Sequence, residues 1–281
     1  MQPMIEKFRA ERLKLEELWR EGVPGIALLG QYSELVDRFL LDNFKEVADE
    51  ERNRSIALVA LGGYGRQELF PHSDIDLMIL YRPGYSKVGE IADGVFYPLW
   101  DNGLEVGHGV RTVEESIAQA REDYFFRVAL LDARLICGAD ELFRELQRAY
   151  QSHFVEGHRK EFVVEMKTHR DARRRRFGAH SYLLEPNLKE GRGGMRDIQA
   201  MFWTARVVFG LNGLEDMCSA GLLLDEEKRD FLAGFAALVR LRGDLHYLSK
   251  RKNDPLYVEQ QEDAAEALGY KSHGGVLAVE S

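Results

Sequence analysis

The residues best suited to do chemistry in this chain are two aspartates, in Ser73-Asp74-Ile75-Asp76-Leu77-Met78-Ile79-Leu80. Ten residues separate Asp74 from the doublet Gly62-Gly63, within Leu61-Gly62-Gly63-Tyr64-Gly65-Arg66. Side chains of an extended strand alternate between faces, so carboxylates two residues apart point the same way. Two carboxylates on one face, beside a glycine turn where backbone can approach phosphate, suit a divalent metal and a nucleoside triphosphate. That is the chemistry of nucleotidyl transfer. The surrounding apolar side chains make a carboxylate pair costly to bury, and a metal ion would offset the cost. The alternative is that Ser73-Asp74 caps a turn and Asp76 faces solvent. Gly62, Gly63, Arg66 and Ser73 are the nucleotide contacts expected here, although Arg66 could instead pair with Glu68.

Several elements must position these groups. Ser55 to Leu61 is an apolar run ending in glycine, with the length of a buried strand. Asp74 and Asp76 sit on a second strand, and Leu104-Glu105-Val106-Gly107-His108-Gly109-Val110-Arg111 reads as a third. Two helices precede the strands, over 4–21 and from Pro24 to about residue 50. Another is expected over 86–101. Thr112-Val113-Glu114-Glu115 forms a capping box. Beyond it almost no strand signal remains, and helices are expected at 112–136, 140–151, 155–177, 195–209, 225–250 and 259–268. The fold class is therefore α+β: a small mixed sheet with a largely helical remainder. The expected divisions are N-terminal helices over 1–54, a catalytic domain over 55–150 and a helical domain over 151–281.

Two-metal phosphoryl transfer commonly uses a third carboxylate on a neighbouring strand. Glu105 is the candidate, with Gly107 and Gly109 on its face leaving room for a ligand. His108 would then point the other way, as a core histidine. Asp74, Asp76 and Glu105 are thus the expected catalytic and metal-binding set, with Mg2+ or Mn2+ as cofactor.

Composition narrows the partners. A formal charge of -9 weighs against general nucleic-acid binding, which needs a positive surface. Cys137 and Cys218 show neither metal-ligand spacing nor a disulfide framework, as expected of a reducing cytoplasm. No run of 18 apolar residues and no signal-peptide core is visible, so no membrane partner is expected.

The glycine doublet followed by Asp74-Ile75-Asp76 resembles the DNA polymerase β-like nucleotidyltransferases. Gly62 to Leu69, His72 to Asp76 and Leu104 to Thr112 are more narrowly similar to the PII uridylyltransferases. So are Leu184-Glu185-Pro186-Asn187-Leu188-Lys189-Glu190-Gly191-Arg192-Gly193-Gly194-Met195-Arg196-Asp197 and Arg251 to Leu256. The resemblance implies transfer of UMP from UTP to a tyrosine hydroxyl of the PII signalling protein. In that family a separate hydrolase domain removes the group and ACT domains sense glutamine. The chain ends about where the next domain would begin, so only transfer is expected of it. The Lys189–Asp197 block reads as a glycine-rich loop entering a helix, where anions are favoured. Lys189, Gly194 and Arg196 are its expected nucleotide contacts, and an Arg196–Asp197 ion pair is the structural alternative. The basic run of Arg170 and Arg173 to Arg176 reads as a solvated helix end or as a contact to a triphosphate or an acidic partner. A protein adenylyltransferase of the glutamine synthetase type, or a non-catalytic nucleotide-binding module, are the competing functions.

Overall fold

A computed structural model of the chain describes residues 2–47, 54–178, 183–273 and 277–280. The last expected residues of the second helix, 48–50, and Gly274 to Val276 near the C-terminus lie outside this set. The chain divides into two compact units, Met1–Glu156 and Gly157–Ser281.

The first unit is built on a four-stranded sheet, β1 (Ile56–Ala60), β2 (Ile75–Tyr81), β3 (Val106–Arg111) and β4 (Arg134–Gly138), in the order β3-β2-β1-β4. Every residue of β1 is buried, which suits a central strand with covered faces. It pairs antiparallel with β2 and with β4, while β2 and β3 run parallel. A parallel pair needs a crossover, and helix α4 (Val88–Asp101) provides it. Helices α1 (Gln2–Arg20) and α2 (Gly25–Val47) share one core with the sheet. In it Phe8, Val36, Phe39 and Leu40 join Ile56, Leu58, Ile75, Leu77, Ile79, Ile91 and Val95. The N-terminal helices and the sheet are therefore one unit. A single turn, α3 (Gly62–Gly65), joins β1 to the segment leading into β2.

The helix expected over 112–136 is three elements: α5 (Val113–Glu122), α6 (Tyr124–Leu131) and β4. The Thr112 capping box with Glu115 is present at the start of α5. Asp123 divides the stretch, because its carboxylate accepts from the backbone N–H of Phe125 and Phe126 and so starts a new helix. β4 was hidden by its apolar composition. A buried central strand such as β1 needs hydrogen-bond partners on both edges, and β4 supplies the second, with a bulge between Leu58 and Val59. Helix α7 (Asp140–Tyr150) follows, ending in a wider π turn over Gln151–Val155.

Among its described residues the second unit is helical: α8 (Arg159–Phe177), α9 (Met195–Thr204), α10 (Leu214–Ser219), α11 (Asp225–Ser249) and α12 (Val258–Ala267). The helix expected to run to 209 widens into a π turn at Ala205–Phe209. One isolated bridge, Asn187 to Pro255, ties the glycine-rich loop to the segment after α11.

Candidate active site

Asp76 is the exposed residue of a strand in which Ile75 and Leu77 through Leu80 are buried. Its carboxylate occupies a slot between two glycines. A Cβ at Gly107 would overlap Oδ1, and one at Gly62 would stand 3.4 Å from Oδ2. Gly62 holds φ +53°, in the left-handed region that favours glycine. The Leu61 N–H donates to the Asp76 carbonyl at 2.9 Å. The glycine turn, Asp76 and β3 thus meet at one place. The carboxylates are not buried as their apolar neighbours suggest: Asp76 is exposed and Asp74 half-buried. Access by water removes most of the burial cost and leaves the site open to a ligand.

Asp74 and Glu105 each stand one residue ahead of their strands. The Ile75 N–H donates to the Glu105 carbonyl at 2.8 Å, and Asp76 is in register with Gly107. Continuing that register back two residues places Asp74 and Glu105 at matched positions on the Asp76 face. Among the described residues no three His, Cys, Asp or Glu side chains are gathered into a ready metal-ligand set. The three carboxylates therefore share a face without forming a closed cage.

The room expected above β3 is filled. Asp76 takes the space over Gly107, and the Arg111 guanidinium takes that over Gly109, where a Cβ would overlap Nη1. His108 does point the other way, but it is exposed rather than in the core. β3 is the edge strand, and the imidazole packs on Phe96 and Trp100 of α4, with ring centroids at 5.2 and 5.4 Å.

Residues distant in sequence hold the glycine turn. Tyr64 is buried and donates to Asp37 Oδ1 at 2.6 Å. Arg134 of β4 donates to Asp37 Oδ2 at 2.7 Å and to the Gly65 carbonyl at 3.2 Å, and its guanidinium lies over the Tyr64 ring. Burial, and then the Asp37 charge, push the Tyr64 hydroxyl well above its ordinary pKa, so it is an un-ionised donor. A Cβ at Gly65 would overlap the Asp132 carbonyl, which makes this glycine a packing requirement. Arg66 takes the ion-pair alternative: Nε donates to Glu68 at 2.8 Å and Nη1 to Asp132 at 2.5 Å. The Ser73 N–H donates to the Phe70 carbonyl at 3.0 Å, closing a turn ahead of β2.

The second glycine-rich loop closes on itself. Asn187 Oδ1 accepts from the N–H groups of Lys189 and Glu190, and Gly191 N–H donates to the Asn187 carbonyl. A Cβ at Gly191 would overlap the Asn187 carbonyl, and one at Gly194 the Leu188 carbonyl. Arg196 does not pair with Asp197. It donates to Gln199 at 2.8 Å, approaches Glu190 at 3.4 Å and lies over the Trp203 ring. Asp197 accepts from Gly193 N–H and from Arg173, and Arg174 approaches it at 3.9 Å, so two arginines of the basic run anchor the loop, whereas Arg175 and Arg176 are exposed. Burial would raise the Asp197 carboxyl, but these hydrogen bonds hold it below its usual range. Lys189 is pushed down by burial and by the Arg242 charge, with Arg196 and Lys252 adding and Asp254 opposing.

Asp37, Asp132, Arg134 and Arg111 were missed from sequence. The first three act across separations that no local pattern reports. Arg111 was within reach, because it continues the alternation of Glu105, Gly107 and Gly109.

Residues 161–281 match the model of the GlnD PII-uridylyltransferase family. A bifunctional uridylyltransferase/uridylyl-removing enzyme of Bradyrhizobium sp. (strain ORS 278) is 39% identical over 226 residues, 80% of this chain and 24% of that protein. The enzyme of the same name from Azospirillum brasilense is 39% identical, over 79% of this chain and 24% of its own length. That of Erythrobacter litoralis (strain HTCC2594) is 37% identical, over 83% and 26%. The chain spans about a quarter of the length of these relatives. Residues 161–281 are thus similar to the GlnD PII-uridylyltransferase family, and over about four fifths of its length the chain is similar in sequence to bifunctional uridylyltransferase/uridylyl-removing enzymes.

Proposed function

We propose that this chain transfers UMP from UTP to a tyrosine hydroxyl of a PII-type signalling protein. The observation that carries this reading is the Asp76 carboxylate, seated between Gly62 of the glycine turn and Gly107 of β3. The open carboxylate face fits a hard divalent cation, which prefers oxygen ligands and tolerates water in its remaining positions. Asp74 and Asp76, with Glu105 on the same face, would hold Mg2+ or Mn2+, which when bound neutralises triphosphate charge and acidifies the attacking hydroxyl. Backbone at Gly62 and Gly63 approaches the phosphates, because no Cβ stands in the way. Glu105 acts on the acceptor side, where it orients the tyrosine hydroxyl.

The names of the matched relatives favour uridylyl over adenylyl transfer. Among the described residues no helix is long and apolar enough to cross a membrane, and the charge of -9 disfavours a nucleic-acid acceptor. A cytoplasmic setting accords with both. The test is incubation with a PII-type protein, magnesium and either UTP or ATP, followed by intact-mass measurement. A uridylyl increment with UTP alone is expected. An adenylyl increment with ATP alone would replace this reading, and no increment with either would end it.

A further inference from the structure

On one face of β3 two side chains lie over two glycines. The Asp76 carboxylate covers Gly107, and the Arg111 guanidinium covers Gly109. The two glycines are separated by about 7 Å along the strand, so a fixed cation stands one strand repeat from the candidate catalytic carboxylate. Arg111 is half-buried and lies 5.0 Å over the Phe126 ring of α6. No carboxylate pairs with it among the described residues. This sets it apart from Arg66 and Arg134 of the same unit, whose guanidinium groups are held by Glu68 with Asp132 and by Asp37. Helix α6 that carries Phe126 also brings Ala129 to 4.0 Å from the Cβ position of Gly62. One helix therefore borders both the glycine turn and the stacked arginine.

We infer that Arg111 binds the β- and γ-phosphate oxygens of the nucleoside triphosphate, the part that leaves as pyrophosphate. A guanidinium stacked on a ring keeps its in-plane N–H donors free to point outward in a fork that matches phosphate. Phe126 and the gap over Gly109 fix that fork before substrate arrives, so little side-chain entropy is lost on binding. In the transfer, the acceptor oxygen bonds to the α-phosphorus and the bond to the bridging oxygen breaks. That oxygen leaves on pyrophosphate with the electron pair, and the hydroxyl proton passes to water. Arg111 faces the negative charge that gathers on the leaving group. A cation without a carboxylate partner beside an acidic site also counters the repulsion between those carboxylates and an incoming polyanion.

This assignment rests on the proposed transfer reading, and calorimetry separates the two. UTP, UMP and pyrophosphate are titrated in magnesium into the wild-type chain, Arg111→Ala and Arg111→Lys, with thermal melting of each. Arg111→Ala is expected to weaken UTP and pyrophosphate about 10- to 100-fold, the scale of a charge-assisted contact, and to leave UMP within about twofold. Arg111→Lys keeps the charge but loses the fork and should fall between. It also stands in if the alanine variant melts early. Equal UTP affinity in a folded Arg111 variant and wild type overturns the assignment alone, as does an equal loss of UMP and UTP. Wild-type protein that binds no nucleoside triphosphate overturns this assignment and the transfer reading together.

Discussion

Two glycine-rich turns that look equivalent in sequence are built for different ends. In Gly62-Gly63-Tyr64-Gly65 one glycine borders the Asp76 carboxylate, and a Cβ at Gly63 would meet nothing closer than 3.7 Å. Only Gly65 is pressed against backbone there. In the 191–194 turn both Gly191 and Gly194 are pressed against carbonyls of their own loop. The first turn leaves space beside a reactive group, whereas the second spends its missing side chains on closure. A glycine signature therefore reports close approach without saying whether the approaching partner is a ligand or the chain itself.

The largest effects should fall on the first turn's neighbours. Asp76→Asn is expected to lower UMP transfer by about a thousandfold, the upper range for losing charge stabilisation at a reacting centre, with thermal melting unchanged. Comparable turnover at saturating magnesium would remove Asp76 from the chemistry. Glu105→Gln should spare UTP binding and lower kcat and kcat/KM together by about a hundredfold. A near-normal rate would show that sharing the Asp76 face does not bring Glu105 into the reaction.

The glycines themselves test the contrast directly. Gly194→Ala forces a Cβ into the Leu188 carbonyl and should destabilise the second unit by about 1–3 kcal/mol, the range for overpacking, as read by denaturant unfolding. Gly63→Ala has room for its methyl and should change stability by less than about 0.5 kcal/mol. It should nevertheless weaken UTP binding, by about tenfold if one phosphate contact is blocked. The reverse pattern, a stable Gly194→Ala and an unfolded Gly63→Ala, would dissolve the distinction.

A smaller effect probes what anchors the second loop. Asp254 supplies a carbonyl to Leu188 N–H at 2.8 Å, and its carboxylate accepts from Arg242 at 2.7 Å. Burial alone would raise this carboxyl, but the His246 imidazole at 3.9 Å and the Arg242 and Lys189 charges outweigh it and hold it well below its usual range. A depressed carboxylate contributes stability that is present above its unfolded pKa, about 3.9, and is lost as pH falls through the folded value. Asp254→Asn should therefore be less stable than wild type at pH 7 by about 1–2 kcal/mol. The gap should close in acid, below about pH 4. A gap independent of pH from 7 down to 2 would refute the ionic anchor.

Composition and local pattern determined a great deal here. Apolar run length placed β1, strand period put Asp74, Asp76 and Glu105 on one face, and helical period located nearly every long helix of the second unit. These signals are local, and each is set by a few consecutive residues meeting one apolar environment. Tertiary structure decided the rest. It alone drew β4 out of an apparent helix, because β1 needed a second edge partner. It turned Arg66 away from a ligand and into the pair with Glu68 and Asp132, since Asp132 arrives from 66 residues away. It tied the glycine turn to Asp37, 27 residues away, and to Arg134, 69 residues away, and set Arg111 rather than empty space over Gly109. Which partner a charge finds depends on what the folded chain brings within reach, and no spacing along the sequence encodes that distance.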